Sequence, residues 1–308
     1  MNDQQFLNGW AEFNRRKWNC DAIVKTYKAS NSDAYCDSLL FLNNNKKLFL
    51  PPLNPYNPTF FHPTPTNKAQ KIGSQWHEVS KVFIDSLYEY AGSANFYFPP
   101  EITDIRPFLW KGFIADIKYT YYVDLPYSLD HISPSLRNKM KKANTLDYYS
   151  VRTDDMEAIH HCLAGTEARK GFSHQLSVKD LLMAQELLGK ERFRGYVCYS
   201  KDGAPVSASI TLVTGDENAI GWISASKSEH LSDGIVQQLQ NLEFNDLSEI
   251  GIKVFDFYGA NIESVSVSKS HWGGSLRAYY GIRLPGYKEV VRAGRDWLAL
   301  NSKKRMTK

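Results

Sequence analysis

The order of the elements predicted from residue 155 onward constrains the fold more than any other feature of the sequence. Two helices, 155–168 and 177–189, precede three strands; a helix, the strand 252–257, a loop and a further strand follow. The three strands are 194–200, 206–212 and 219–224. A helix between two strands returns the chain along the sheet, so we expect strand 252–257 to lie parallel to a neighbour. The order predicts an α/β (α+β) fold with a meander and a crossover.

Side-chain patterns define this region further. Apolar residues alternate with Ser and Thr over 206–212, which predicts a strand with one buried face. In the crossover, Ser232 or Asp233 is the expected cap of the helix, and Gly251 is its expected end.

The first half of the chain also predicts a mixture of strands and helices. Hydrophobic spacing and turn residues support each assignment. The predicted elements are a hairpin over 39–50, a helix over 68–91, strands over 96–98 and 113–125, and a helix starting at Ser133-Pro134. The proline-rich stretch 51–65 contains aromatic residues, so we expect an ordered loop. A last amphipathic helix is predicted over 287–300.

Composition narrows the class of protein. A chain of 308 residues is long enough for two domains. Its net charge of +4 is too small to indicate nucleic acid by itself, and we expect no DNA partner. The four cysteines form no CxxC pair, the N-terminus is polar, and no apolar run approaches a membrane span. These features predict a cytoplasmic protein with reduced thiols and no transmembrane segment.

The end of strand 252–257 carries the candidate chemistry. The strand ends on Asp256, Gly259 permits a turn or a close approach, and Lys269 follows about ten residues later. An acid, a cation and glycines at a strand end can form a site for a polar substrate. A strand followed by a surface loop and a glycine turn is the alternative interpretation.

Several segments, in a fixed order over about residues 105–281, resemble the FemAB-like group of the GNAT acyltransferase fold. Their motifs are W-x-G-F with Y-T-Y-x-x-D-L, a basic T-R-x-x-I-x-K-A helix, R-x-G, D-F-x-G and K-x-x-F-G. In this chain they correspond to Trp110–Phe113 with Tyr119–Leu125, Leu136–Ala143, Arg169–Gly171, Asp256–Gly259 and Lys269–Gly273. Leu136 replaces the usual threonine, and Trp272 replaces phenylalanine.

The resemblance implies tandem GNAT-like halves, 1–125 and 126–308, with mixed central sheets flanked by helices. It also implies transfer of an acyl or aminoacyl group to an amine. Some relatives use aminoacyl-tRNA and extend peptidoglycan bridges, and others act with acyl-CoA on amino sugars or small amines. The chain has no long heptad segment for the helical arm of some bridge-forming relatives. The first expectation is therefore N-acetylation of an amino sugar or a cell-envelope or surface-polysaccharide precursor.

The resemblance and the surrounding residues together assign candidate roles. The expected catalytic residues are Lys269, which would stabilise an oxyanion, Asp256, which would orient the amine or accept its proton, and His230. The expected substrate-binding residues are Tyr119, Tyr121, Arg169, Trp272 and Gly259. The expected donor-binding residues are Lys227, Gly234, Arg137 and Lys141. Structural roles, such as a solvated helix face for the basic residues, are the alternatives.

The donor is the least constrained part of the prediction. Acyl-CoA is the expected co-substrate, but residues 227–234 contain one glycine and two acids where a pyrophosphate would lie. An aminoacyl-tRNA donor is the alternative, as in peptidoglycan-bridge enzymes, with a small or lipid-linked amine as acceptor. A non-catalytic binding module is the third possibility. No metal is expected, because His160 and His161 are adjacent and point about 100° apart on a helix.

Overall fold

The computed structural model describes residues 3–92, 94–171, 173–287 and 289, without the side chains of 168–170. Its helices are α1 (Asp3–Trp18), α2 (Ala69–Tyr90), α3 (Arg106–Trp110), α4 (Pro134–Thr145), α5 (Met156–Lys170), α6 (Val178–Leu188), α7 (Ile235–Glu249) and α8 (Glu263–Ser270). Its first strands are β1 (Asp21–Lys28), β2 (Tyr35–Leu42), β3 (Thr59–His62), β4 (Phe96–Tyr97) and β5 (Ile114–Asp124). The remaining strands are β6 (Tyr149–Thr153), β7 (Phe193–Tyr199), β8 (Pro205–Val213), β9 (Asn218–Ser226), β10 (Val254–Asp256) and β11 (Ser275–Arg283). The helix predicted over 287–300 lies outside the described residues.

The chain divides into two compact units. Unit 1 comprises Met1–Val24 and Lys118–Ala278, and unit 2 comprises Lys25–Ile117 and Tyr279–Lys308. The chain therefore passes from one unit to the other within β1, β5 and β11. The predicted halves, 1–125 and 126–308, concern two similar halves that follow one another in the sequence. The units described here are defined by contacts, so the predicted halves stay a prediction.

Unit 1 is built on a mixed sheet with the strand order β5, β10, β9, β8, β7, β6. β10 pairs parallel with β9 and antiparallel with β5, which confirms the predicted crossover and the mixed α/β class. The parallel ladder ends where Asp256 lies opposite Ile220. β9 continues to Ser226, which is about 20 Å further along the strand. The parallel pairing of the two strands therefore ends at Asp256, before β9 itself ends.

Helices cover both faces of this sheet. α5 packs against β7, β8 and β9, while α7 packs against β6, β7 and β8. The prediction of one buried face for β8 was wrong, because its residues after Pro205 are all buried. Its hydroxyls face a helix instead of water: Ser209 and Thr211 donate hydrogen bonds to the buried carboxylate of Glu243 on α7. Burial raises the pKa of Glu243 to about 8.

Aromatic side chains fill the two helix–sheet interfaces of unit 1. On α1, the Trp10 and Phe13 rings lie 5.2 and 5.6 Å from the ring of Trp222 on β9, edge to face. On α7, Phe244 lies 5.1 Å from both Phe255 and Trp272. The sequence prediction missed α1, because its ends are polar.

The start of α7 differs from the prediction. Residues Ser228–Asp233 form a 3-10 turn, and Gly234, at a left-handed φ of 85°, precedes α7 in place of a side-chain cap. The carboxylate of Asp233 instead forms an ion pair with Lys142 of α4 at 2.8 Å. Gly234 packs against α4, since a Cβ at that position would lie 2.0 Å from the carbonyl oxygen of Lys139. The predicted start of α4 is confirmed, with the Ser133 side chain as its cap.

Unit 2 has its own aromatic core. Phe83 of α2 stacks on Tyr27 at 4.1 Å and contacts Phe96, Phe98 and Phe108 at 5.4 to 5.9 Å. The predicted helix over 68–91 and the strand after it are confirmed as α2 and β4. The hairpin over 39–50 was only partly correct: β2 ends at Leu42, which forms a single bridge to Leu48.

Two further findings concern the described residues as a whole. The four cysteines are all buried and unbridged. None of the described helices combines the length and apolar character that crossing a membrane requires.

We expect Gly234→Ala to destabilise the protein more than Gly203→Ala. Both glycines have positive φ, near 80°, but only Gly234 faces backbone within 4 Å. The left-handed conformation costs roughly 1–2 kcal/mol with a Cβ, and crowding against Lys139 adds about 1–3 kcal/mol at Gly234. Urea unfolding measures both free energies of unfolding. Equal losses for the two variants would contradict the close packing of α4 on α7.

Candidate functional site

The chain turns sharply where β10 ends. Tyr258 has a φ of 60° and Gly259 a φ of 113°, so two successive residues leave the strand direction. The carboxylate of Asp256 accepts a hydrogen bond from Tyr258 N at 2.7 Å, which supports the left-handed conformation of a residue other than glycine. Asp256 is only 3% exposed. The predicted acid thus holds the backbone at the end of its strand.

Thr120, in β5, connects this carboxylate to the turn. Its hydroxyl donates to Asp256 Oδ1 at 2.5 Å and accepts from Gly259 N at 2.9 Å. Thr120 is fully buried. The sequence analysis named its neighbours Tyr119 and Tyr121 and missed it. Strand alternation was the available signal, because it places Thr120 on the face opposite to the two tyrosines.

Lys269, near the end of α8, reaches back to the same turn. Its ammonium donates to the carbonyl oxygens of Phe257 at 2.8 Å and Gly259 at 2.5 Å. It also lies 5.7 Å from the centroid of the Phe257 ring. Burial lowers the pKa of Lys269 to about 8, while the charge of Asp256 acts in the opposite direction. The turn therefore holds a half-buried cation beside a buried carboxylate.

The predicted substrate-binding tyrosines contribute backbone groups to the turn. Phe257 N donates to Tyr121 O at 3.0 Å, and Ala260 N donates to Tyr119 O at 2.7 Å. The side chain of Asn261 closes the same edge, since its Oδ1 accepts from Tyr119 N at 2.8 Å. The structure thus brings together Lys269, Asp256, Gly259 and the backbone of both tyrosines. A role of the tyrosine side chains in substrate binding stays a prediction.

His230 belongs to a different cluster. Its Nδ1 lies 2.7 Å from the hydroxyl of Tyr148, which also donates to Asp233 at 3.0 Å. His230 lies in the 3-10 turn that follows the last residue of β9. Asp256 lies opposite Ile220, which is near the beginning of the same strand. The structure does not bring His230 to Lys269 and Asp256, and its catalytic role stays a prediction.

The other predicted site residues are dispersed. The indole of Trp272 is 5% exposed and packs against Phe244 and Tyr127 in the core. The side chain of Arg169 lies outside the described part of the chain. Arg137 donates to Leu129 O at 2.7 Å, and the stem of Lys227 packs over α5. Among the described residues, no three His, Cys, Asp or Glu side chains are arranged to hold a metal ion.

The turn before α7 does not fit a pyrophosphate, the group by which acyl-CoA would be held at this helix N-terminus. Hydrogen bonding to Lys142 lowers the pKa of Asp233, and a backbone amide lowers that of Glu229, so two ionised carboxylates occupy the turn. Lys142 is already paired with Asp233. Gly234 lies against the backbone of α4, so α4 flanks the start of α7.

We expect Lys269→Met to change how stability depends on pH. The folded-state pKa of Lys269, about 8, lies below its ordinary value of 10.5, so the unfolded chain holds this proton more tightly. The contribution of Lys269 to the free energy of unfolding is therefore greatest above pH 10.5 and falls as the pH is lowered to about 8. The stability difference between wild type and variant should shift by about 3 kcal/mol over this range.

Urea unfolding from pH 7 to pH 11 measures this difference, and Lys201→Met, at an exposed turn, is the matched control. A difference that stays constant with pH would contradict the burial of a charged lysine at the turn.

Comparison with solved structures supports the fold. FemX superposes with a TM-score of 0.65 at 11% identity, covering 91% of this chain and 96% of that chain. A C-terminal domain of a putative lysylphosphatidylglycerol synthetase from Agrobacterium fabrum gives 0.57 at 11% identity, covering 97% and 98%. L-PGS from Bacillus licheniformis gives 0.53 at 13% identity, covering 91% and 92%. No protein-family model and no curated protein matches the sequence. The chain has the fold of FemX, which confirms the FemAB-like fold that its motifs resemble.

Proposed function

We propose that the protein is an N-acyltransferase whose acceptor is the amine of an amino sugar or a cell-envelope precursor. The observation that carries this proposal is the cation at the turn after β10. Lys269 is fixed by two backbone carbonyl oxygens and lies where the pairing of β9 and β10 ends. A fixed positive charge at the end of a parallel ladder is suited to a substrate whose reaction develops negative charge.

The reaction forms an amide bond. The neutral amine nitrogen attacks the carbonyl carbon of an acyl ester, which gives a tetrahedral oxyanion. The ester C–O bond then breaks, and the amine proton ends on the departing alcohol. Lys269 would stabilise the oxyanion as a cation. Asp256 and Thr120 would act as positioning residues, because their hydrogen bonds hold the turn to which Lys269 is bonded.

The geometry favours an aminoacyl-tRNA donor over the acyl-CoA donor first expected. The carboxylates at the start of α7 oppose a pyrophosphate there, as described above. On α4, by contrast, Lys139 and Lys141 are exposed, and α4 packs beside that same turn. Exposed lysines can neutralise RNA phosphates without a preformed phosphate cradle. Such a donor agrees with the predicted cytoplasmic location.

Bulk tRNA should raise the melting temperature at about 50 mM salt, and the increase should largely disappear at about 200 mM. Acetyl-CoA should produce no shift, because the carboxylates of Glu229 and Asp233 oppose its pyrophosphate at the start of α7. Replacing Lys139 and Lys141 by alanine should weaken tRNA binding and reduce its salt dependence by a slope of about 1.5. The double variant Lys71→Ala with Lys201→Ala, at exposed positions elsewhere, is the control. A shift with acetyl-CoA and none with tRNA would instead support the acyl-CoA donor.

Acyl transfer should slow above about pH 8 if Lys269 acts as a cation. The relevant pKa is about 8, so kcat/KM should fall about tenfold per pH unit above it. Lys269→Arg should remove this decline, because guanidinium stays charged, and Lys269→Met should lower kcat by roughly 10²–10³-fold. The assay uses bulk tRNA charged with labelled amino acids, and a cell-envelope precursor extract.

Three outcomes of this assay would exclude the proposed role. A rate that rises through pH 8 and is lost in Lys269→Arg would make Lys269 a base. Full activity of Lys269→Met would remove it from catalysis. Donor binding with no transfer in the wild type would favour a binding module.

A further inference from the structure

Unit 2 contains an open cleft that the transfer chemistry does not use. It lies between α3 and the first residues of β5 and has a volume of about 440 Å³. That volume is within the usual range of small-molecule sites. The wall is mostly apolar and is formed largely by Ile105, Leu109, Ala115, Ile117 and Tyr280.

The apolar surface continues outside the cleft. Leu109 is 40% exposed and Ile117 is 54% exposed, although both line the cleft. Trp110, the neighbour of Leu109 in α3, is 64% exposed. Large apolar side chains gathered at one exposed place on a protein commonly mark a binding site. The arrangement offers a hydrocarbon both a slot and a flat aromatic surface at its edge.

One rim of the cleft is polar and firmly held. Arg106 donates from Nε and from Nη2 to the carboxylate of Asp104, each at 2.8 Å. The buried indole of Trp76 donates to the carbonyl oxygen of Asp104 at 2.6 Å, which fixes this segment. The Arg106 guanidinium also lies 5.9 Å from the ring of Trp110. Arg106 is exposed. Its Nε and Nη2 bond to the carboxylate of Asp104, whereas its Nη1 does not, so Nη1 can bind an anion at the rim.

We propose that this cleft binds the hydrocarbon tail of a single-chain amphiphile, with an anionic head at Arg106. The aliphatic wall removes methylene groups from water, which is the source of the affinity. The open side lets the head remain solvated beside the guanidinium. This site does not depend on the proposed transfer reaction, and the binding of an amphiphile can be tested without it.

The test is a chain-length series of alkyl phosphates, titrated by calorimetry against the whole protein below their critical micelle concentrations. Each added methylene should tighten binding by up to about fourfold, until the cleft is full and the affinity reaches a plateau. The plateau is the expected sign of a finite cleft. No binding, or binding only to micelles or vesicles, would overturn the proposal.

Two substitutions locate the site. Ala115→Trp fills the cleft from an exposed position and should abolish the dependence on chain length, whereas Val82→Trp, exposed on α2 outside the cleft, should not. Arg106→Gln should weaken alkyl phosphates at least threefold and leave an uncharged alkyl glucoside unchanged. Equal effects of Ala115→Trp and Val82→Trp would overturn the site, and no effect of Arg106→Gln would overturn the position of the head. Melting temperatures of all three variants verify that they are folded.

Discussion

The turn after β10 depends on the buried carboxylate of Asp256. Its Oδ1 accepts hydrogen bonds from both the Thr120 hydroxyl and Tyr258 N, so the carboxylate couples β5 to the left-handed turn. A buried carboxylate is costly unless hydrogen bonds and nearby positive charge compensate it. Lys269 supplies positive charge near it and bonds two carbonyl oxygens of the same turn. The end of β10, the turn after it and the ammonium of Lys269 are therefore joined by one set of hydrogen bonds.

The turn that contains Asp256 and holds Lys269 lies where the β9–β10 ladder ends. Beyond Asp256 the chain still bonds to β5, but its pairing with β9 ends, and β9 continues to Ser226 without it. Lys269 is held at this point by two backbone carbonyl oxygens. The lowered pKa of Lys269 follows from its burial, so its charge is sensitive to mildly alkaline pH.

The contact between α4 and α7 has the opposite effect at the turn that follows β9. Gly234 packs against the backbone of Lys139, and Asp233 pairs with Lys142, so a neighbouring helix and an acid lie beside this helix terminus. Helix N-termini attract phosphates because their amides are unpaired and their dipole is positive. Here the acidic side chains of Glu229 and Asp233 oppose a phosphate at this terminus. The similarity to FemX concerns the fold, and the proposed preference for an aminoacyl-tRNA donor rests on these local contacts.

Local patterns in the sequence determined the helices α2 and α4, the meander β7–β9, and the parallel placement of β10. They also identified Asp256, Gly259 and Lys269, because an acid, a glycine and a lysine close to a strand end can be recognised in the sequence itself. Tertiary structure alone decided that Thr120 joins the carboxylate to the turn, since that bond spans 136 positions of the chain. It also buried both faces of β8 and replaced the expected cap of α7 with a glycine against α4. These features depend on which elements pack together, and the spacing of residues within a single element does not encode that choice.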